Sequence, residues 1–189
     1  MALEKDKLDT EIKNNVLQTF SDAIAGRSIQ LFYGVGTKMA AGQDYVLVRD
    51  SGISRETYTS GANIDIDFDI TINKPTIVAG IATFDIYWIA CFGGGAACNF
   101  TVTANVVHYD GSAETVLGTA TSETINAGLA TDVSDKLQCS VTKKLFKIGD
   151  ILRITLTGVS SGASVIKINH DPLTANKDFK IWVPIVNLE

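Results

Sequence analysis

The chain has 189 residues, 46% hydrophobic and 20% charged, with 16 basic against 21 acidic side chains and a formal net charge of -5. That length suits one substantial core with an appendage rather than two full domains. The acidic balance excludes the basic footprint expected of a partner for nucleic acid or anionic membrane, and charge is sparse enough to place some of the hydrophobic surface under other subunits.

The leading MALEKDKLDTEIK is charged and has no apolar h-region, so no secretory signal is expected. No window approaches the roughly 18 uncharged apolar residues of a membrane span. The chain is therefore expected to be made in a cytoplasm. Leu3 to Ala25 is the one helical segment: Leu8, Ile12, Val16, Phe20 and Ile24 recur at intervals of four, and Gly26 follows as a stop signal. Such a stripe has to be covered by its own sheet, by copies from other subunits, or by a partner. These five residues are the candidate partner-binding set. The spacing of four disfavours a regular coiled coil, which alternates three and four.

From Arg27 to Gly61 the pattern is short and irregular. Ser28 to Tyr33 and Tyr45 to Val48 are expected as short strands around GVGTKMAAGQD, and the segment is expected as an extended arm or edge region. The predicted organisation is thus an appendage over residues 1–61 and a β body over 62–189. The body opens on Ile64-Asp65-Ile66-Asp67-Phe68-Asp69-Ile70-Thr71-Ile72, apolar at every even position and polar at every odd one, which predicts a strand with one buried face. Thr76 to Phe92 lacks alternation. It is expected to be buried on both faces, as one bent strand or as two that break at Gly80. Asn99 to Tyr109 and Thr115 to Thr121 flank an Asp110-Gly111 hairpin signal. Ile125 to Asp135 is expected as a loop or a short helical turn, and Leu137 to Lys143 as a strand. Three further runs lie between Leu145 and Val186, separated by Gly, Ser and Asp-Pro. About eight strands after Asn63, with no βαβ spacing, predict a mainly β protein: an antiparallel β-sandwich of jelly-roll type behind an N-terminal amphipathic helix.

Candidate chemistry is thin. Asp65, Asp67 and Asp69 stand about 7 Å apart along one strand face, too widely spaced for one calcium ion with its six to eight oxygens; cross-strand Lys or Arg partners account for them better. His108 and His170 are the two imidazoles, and neither has a recognisable nucleophile setting. Gly93-Gly94-Gly95 lacks the Lys-Ser/Thr of a phosphate loop. Trp88, Trp182, Tyr87 and Tyr109 could form a sugar-stacking platform, although core packing is the commoner use. Of the three cysteines, Cys91 and Cys98 flank the glycine loop and could face each other across a hairpin, while small buried thiols are the commoner outcome. No catalytic residue, cofactor or metal ligand emerges, so no enzyme is predicted.

The entry Leu145-Phe146-Lys147-Ile148-Gly149-Asp150-Ile151-Leu152-Arg153, the strand ending Asn169-His170-Asp171-Pro172, and the closing Phe179-Lys180-Ile181-Trp182-Val183-Pro184-Ile185 resemble small β-sandwich virion proteins of tailed bacteriophages and related viruses. The likeness covers roughly residues 143 to 188. It implies a non-enzymatic structural role in a virion, as a capsid decoration, cement or head-fibre-base protein that binds the shell through its N-terminal arm. The expected partners are further copies of the chain, with a three-fold axis as the arrangement a capsid offers, and other virion proteins. Acidic Glu4, Asp6, Asp9 and Glu11 cancel Lys5, Lys7 and Lys13 in the arm, which disfavours genome binding. The alternative is a carbohydrate- or receptor-binding β-sandwich module.

Overall fold

The structure, a computed structural model, describes residues 27–39, 42–49, 58–61, 63–92, 98–127, 131–161, 165–170 and 178–187. The expected helix with Leu8, Ile12, Val16, Phe20 and Ile24, the triglycine loop and the Asp171-Pro172 turn lie outside those residues. The described part is nearly all strand: β1 Arg27–Met39, β2 Gly42–Val48, β3 Tyr58–Gly61, β4 Asn63–Thr71, β5 Thr76–Phe92, β6 Cys98–Tyr109, β7 Glu114–Thr121, β8 Ile125–Ala127, β9 Thr131–Phe146, β10 Ile151–Ser160, β11 Val165–Asn169 and β12 Phe179–Asn187.

Hydrogen bonds link these strands in the order β3-β11-β5-β12-β1-β2-β4-β10-β6-β7, with β9 on the second edge of β5 and β8 on β6. The path doubles over where β1 and β2 meet β4, so that two four-stranded layers face one another, β1-β12-β5-β9 and β4-β10-β6-β7. Counting these eight strands along the chain gives sheets 1-8-3-6 and 2-7-4-5, the strand order of a jelly roll. Pairing is antiparallel except for one parallel bridge at the fold-over, Val46 with Asp69. The core lies between the layers: Phe32, Phe68, Phe84, Trp88, Phe100, Phe146 and Phe179 are each at most 1% exposed. Rings from opposite sheets meet there, Phe68 with Phe179 at 5.1 Å and Trp88 with Phe100 at 6.3 Å between centroids.

The alternation in β4 does what its period requires. Ile64, Ile66 and Phe68 enter the core and the aspartates face out. The Asp110-Gly111 turn forms as expected: Asp110 Oδ1 accepts the Ser112 and Ala113 N–H groups at 2.9 and 2.8 Å, and Gly111 takes a positive φ of 92°.

Several expectations need correction. The boundary near Gly61 does not separate β1 from the body, because β1 is hydrogen-bonded to β12 over residues 27–34 and puts Phe32 and Val35 into the common core. β1 is also longer than expected. Gly34 is a packing requirement: a Cβ there would run into the Phe179 ring and stand 2.9 Å from Phe68. Of the two forms expected for Thr76 to Phe92, β5 takes the first: it is one continuous strand with a bulge at Gly80, where φ is +129°. Opposite it, Pro184 of β12 interrupts the register with β5, as the missing N–H demands. The expected loop after Ile125 is instead β8 and the first turn-free residues of β9.

Candidate interaction surfaces

The outer faces of the two layers differ in what dominates them, although exposed Val116 of β7 and Val159 of β10 put apolar surface on the β4-β10-β6-β7 layer as well. On the β4-β10-β6-β7 layer, Arg153 of β10 is the hub. Its Nε and Nη2 donate to the two carboxylate oxygens of Asp69 at 2.8 and 2.7 Å, its Nη1 lies 3.2 Å from Asp67, and it also pairs with Glu114. The guanidinium carbon sits 5.0 Å from the Tyr109 ring centre. The bidentate bond to Asp69 is the main reason the guanidinium is held even further above its already high ordinary pKa. Thr155 donates to Asp67 at 2.7 Å, Thr119 to Asn105 at 2.7 Å, and the Thr103 and Thr121 hydroxyls meet at 3.0 Å. This face is polar and largely satisfied by its own cross-strand pairs. Two of the three aspartates singled out in the sequence therefore pair with one arginine; among the described residues there is no group of three or more His, Cys, Asp or Glu arranged to hold a metal ion.

The β1-β12-β5 face turns apolar side chains outward. Register places Ile29 of β1 beside Pro184, Leu31 beside Trp182, and Trp182 beside Thr83 of β5. Ile29 is 58% exposed and Ile81 60% exposed, and Leu145 on neighbouring β9 is 47% exposed. Ile29, Ile81 and Trp182, with Thr83 and Lys136, surround a shallow depression of about 230 Å³. In Thr76 to Phe92, Val78, Ala82, Phe84 and Ile86 fill the core, while the other side carries Ile81, 60% exposed, with Thr83 and Asp85, so the strand is not buried on both faces as expected.

Both histidines serve as internal braces. His108, 5% exposed, bonds through Nε2 to Asp150 at 2.7 Å and lies edge-on to Phe146 at 4.6 Å. The His108 bond, joined by the Lys147 N–H at 2.8 Å, holds the Asp150 carboxyl below its ordinary pKa. The pair pins the β9–β10 turn, in which Gly149 has a φ of +94°, to β6. His170 is fully buried where the layers join. Its Nδ1 accepts the Gly36 N–H at 3.2 Å, and Tyr45 and Phe68 meet its ring edge-on. Neither partner was legible by position, since Asp150 lies 42 and Gly36 134 residues from its histidine. Cys98 is disulfide-bonded, against the expectation of a buried thiol. Cys139 is a free thiol whose pKa burial pushes up. Among the four aromatics weighed as a platform, Trp88 is in the core, and Trp182 lies on the apolar face.

No helix among the described residues is long and apolar enough to cross a membrane. No family model and no curated protein matches the chain. Among solved structures it is similar to a CocE/NonD family hydrolase from Staphylococcus aureus, seen in two crystal structures with TM-scores of 0.57 and 0.56, at 10% identity over 85% of this chain and 37% of that one. An aminopeptidase from a marine sediment Thaumarchaeota archaeon aligns with a TM-score of 0.47 at 12% identity, over 67% of this chain and 26% of its own. The chain thus spans well under half the length of these enzymes, and at such identities the hydrolase likeness speaks for the fold alone.

Proposed function

We propose that this chain is a non-enzymatic structural protein of a virion, of the capsid decoration, cement or head-fibre-base kind, which self-associates and grips the shell through its N-terminal segment. The observation that carries this reading is the grouping of exposed Ile29 and Ile81 with Trp182 around one depression on the β1-β12-β5 face. Contiguous apolar surface of that kind marks an interaction site. The stripe of Leu8, Ile12, Val16, Phe20 and Ile24 supplies a second surface that needs a cover. Support also comes from the sequence resemblance to small virion sandwiches, and from the use of both imidazoles as braces.

The test is sedimentation of the purified full chain, alone and with candidate capsid shells. Self-association alone and saturable co-sedimentation with a shell, lost when residues 1–25 are deleted, is the expected result. A monomer at all concentrations that ignores every shell overturns the proposal. A second reading, a carbohydrate-binding module, draws on Trp182, an aromatic beside Thr83 and Lys136 in an open depression. Retention on a glycan array that Trp182→Ala abolishes would favour it.

A further inference from the structure

The exposed apolar surface of the β1-β12-β5-β9 layer continues from the Trp182 depression to the end of the sandwich where β1 begins. Register sets Arg27 beside Val186, Val186 beside Ile77 and Ile77 beside Leu145, one row across four strands. Ile185, Val78 and Phe146 are buried in the core, so alternation turns their neighbours Val186, Ile77 and Leu145 outward. Val186 and Ile77 are half-buried, and Leu145 is 47% exposed. Ile29 and Ile81 lie between that row and Trp182. From Trp182 to Val186 is about 13 Å along the strand and three strand spacings are about 14 Å, so the patch measures about 20 Å on its diagonal.

The chain itself carries a surface of matching size. Leu8, Ile12, Val16, Phe20 and Ile24 precede β1, and as a helical stripe they extend about 24 Å. The connection decides whose face the stripe can reach. A helix that stops at Ala25 leaves Gly26 alone before β1 starts at Arg27. One residue spans about 3.6 Å at most, whereas a helix about 10–12 Å across has to clear the sheet and reverse direction before it can lie on it. Connections between a helix and the strand it packs against take about 2–6 residues. The tether is therefore too short for the stripe to fold back over its own β1, and the face it can cover belongs to a neighbour.

We propose that, in the protein free of a shell, the Leu8–Ile24 stripe of one copy lies on the Ile29, Ile81 and Trp182 face of a second copy. This names the two surfaces behind the self-association proposed above and rests on that reading. The test uses full chains in sedimentation velocity. Val16→Glu spoils the stripe and Ile81→Glu spoils the face; each alone is expected to weaken self-association about tenfold or more, because contact would bury an unpaired carboxylate. An equimolar mixture is expected to restore association, since each variant supplies the surface the other lacks, and a fluorophore on the Val16→Glu chain reads this as faster sedimentation when Ile81→Glu is added. Ile12→Glu with Ile29→Glu is the second pair, used where a variant of the first lowers the thermal melt. Association of Val16→Glu equal to wild type overturns the proposal in favour of a contact between two faces. Stronger association of Val16→Glu than of wild type overturns it in favour of a stripe on its own sheet, and a mixture that stays monomeric overturns it as well. A wild-type chain that is monomeric at every concentration defeats the self-association reading together with this pairing, so the two failures are distinguishable.

Discussion

Replacing Ile29 and Ile81 together by threonine addresses self-association directly. The two side chains leave 58% and 60% of their surface in solvent and border the same depression beside Trp182. Full burial of an isoleucine side chain is worth about 1.5–3 kcal/mol, so covering the exposed remainder contributes about 1–2 kcal/mol for each and about 2–4 kcal/mol for the pair. At about 1.4 kcal/mol per decade, the double variant dissociates roughly 30- to 1,000-fold more readily. Threonine retains the β-branch, so the strands keep their local preference, and fold stability should move by only about 0.5 kcal/mol for such surface changes. Sedimentation velocity over a concentration series reads the effect, with Asn105→Ala/Thr119→Ala on the opposite sheet as the control expected to match wild type. A double variant that associates like wild type while melting normally refutes the assignment of the contact to this face.

Three further outcomes follow from the described geometry. Arg153 and Asp69 are only 17% and 29% exposed at the side chain, so a double-mutant cycle of Arg153→Met with Asp69→Asn should return a coupling of about 2 kcal/mol in urea unfolding; Asp67 and Glu114, at 40% and 49%, should add only about a few tenths each. A coupling near zero would mean the arginine contributes little to holding β10 to β4. Backbone N–H groups of Ala113 and Ser112 lower the Asp110 carboxyl from 3.8 to about 2. Its folded pKa is depressed, so its stabilisation is present above the unfolded value and disappears as pH falls through about 2. Asp110→Ala should therefore lose less of its melting temperature than wild type between about pH 4 and pH 2, whereas parallel profiles would contradict the turn assignment. Gly34→Ala sets a methyl group against the fully buried rings of Phe179 and Phe68 and should cost about 1–3 kcal/mol by overpacking. A lower urea midpoint with an unchanged slope, partly recovered by Phe179→Leu, is the expected signature.

The parts of the fold legible in the sequence are those whose cause is local. The strict alternation of Ile64 to Ile72, the odd–even pattern of Leu152, Ile154 and Leu156, and the Asp110-Gly111 turn each follow from backbone period or turn chemistry within a few residues. The arginine partner for the aspartate face was anticipated by type, since a row of carboxylates on a strand calls for cations opposite. What escaped is governed by distant neighbours. The small residues at Gly34 and Gly36 resemble a loose arm in sequence, yet Gly34 has no Cβ because two rings pass over it, and Gly36 offers its N–H to His170. The His108–Asp150 bond likewise depends on a pairing that no spacing rule announces, whereas a disulfide at Cys98 is one of the two outcomes that the placement of Cys91 and Cys98 about the glycine loop leaves open. The candidate N-terminal contacts, Leu8 to Ile24, lie outside the described residues, so their role rests on the amphipathic pattern and on the proposed function.

A sandwich standing alone in water needs hydrophobic residues on the two inner faces and polar residues on both outer ones. The β4-β10-β6-β7 layer obeys this at Thr155 with Asp67 and Arg153 with Asp69 and departs from it at exposed Val116 and Val159. On the β1-β12-β5 layer exposed Ile29 and Ile81 border a common depression beside Trp182, and it is this clustering that marks the surface.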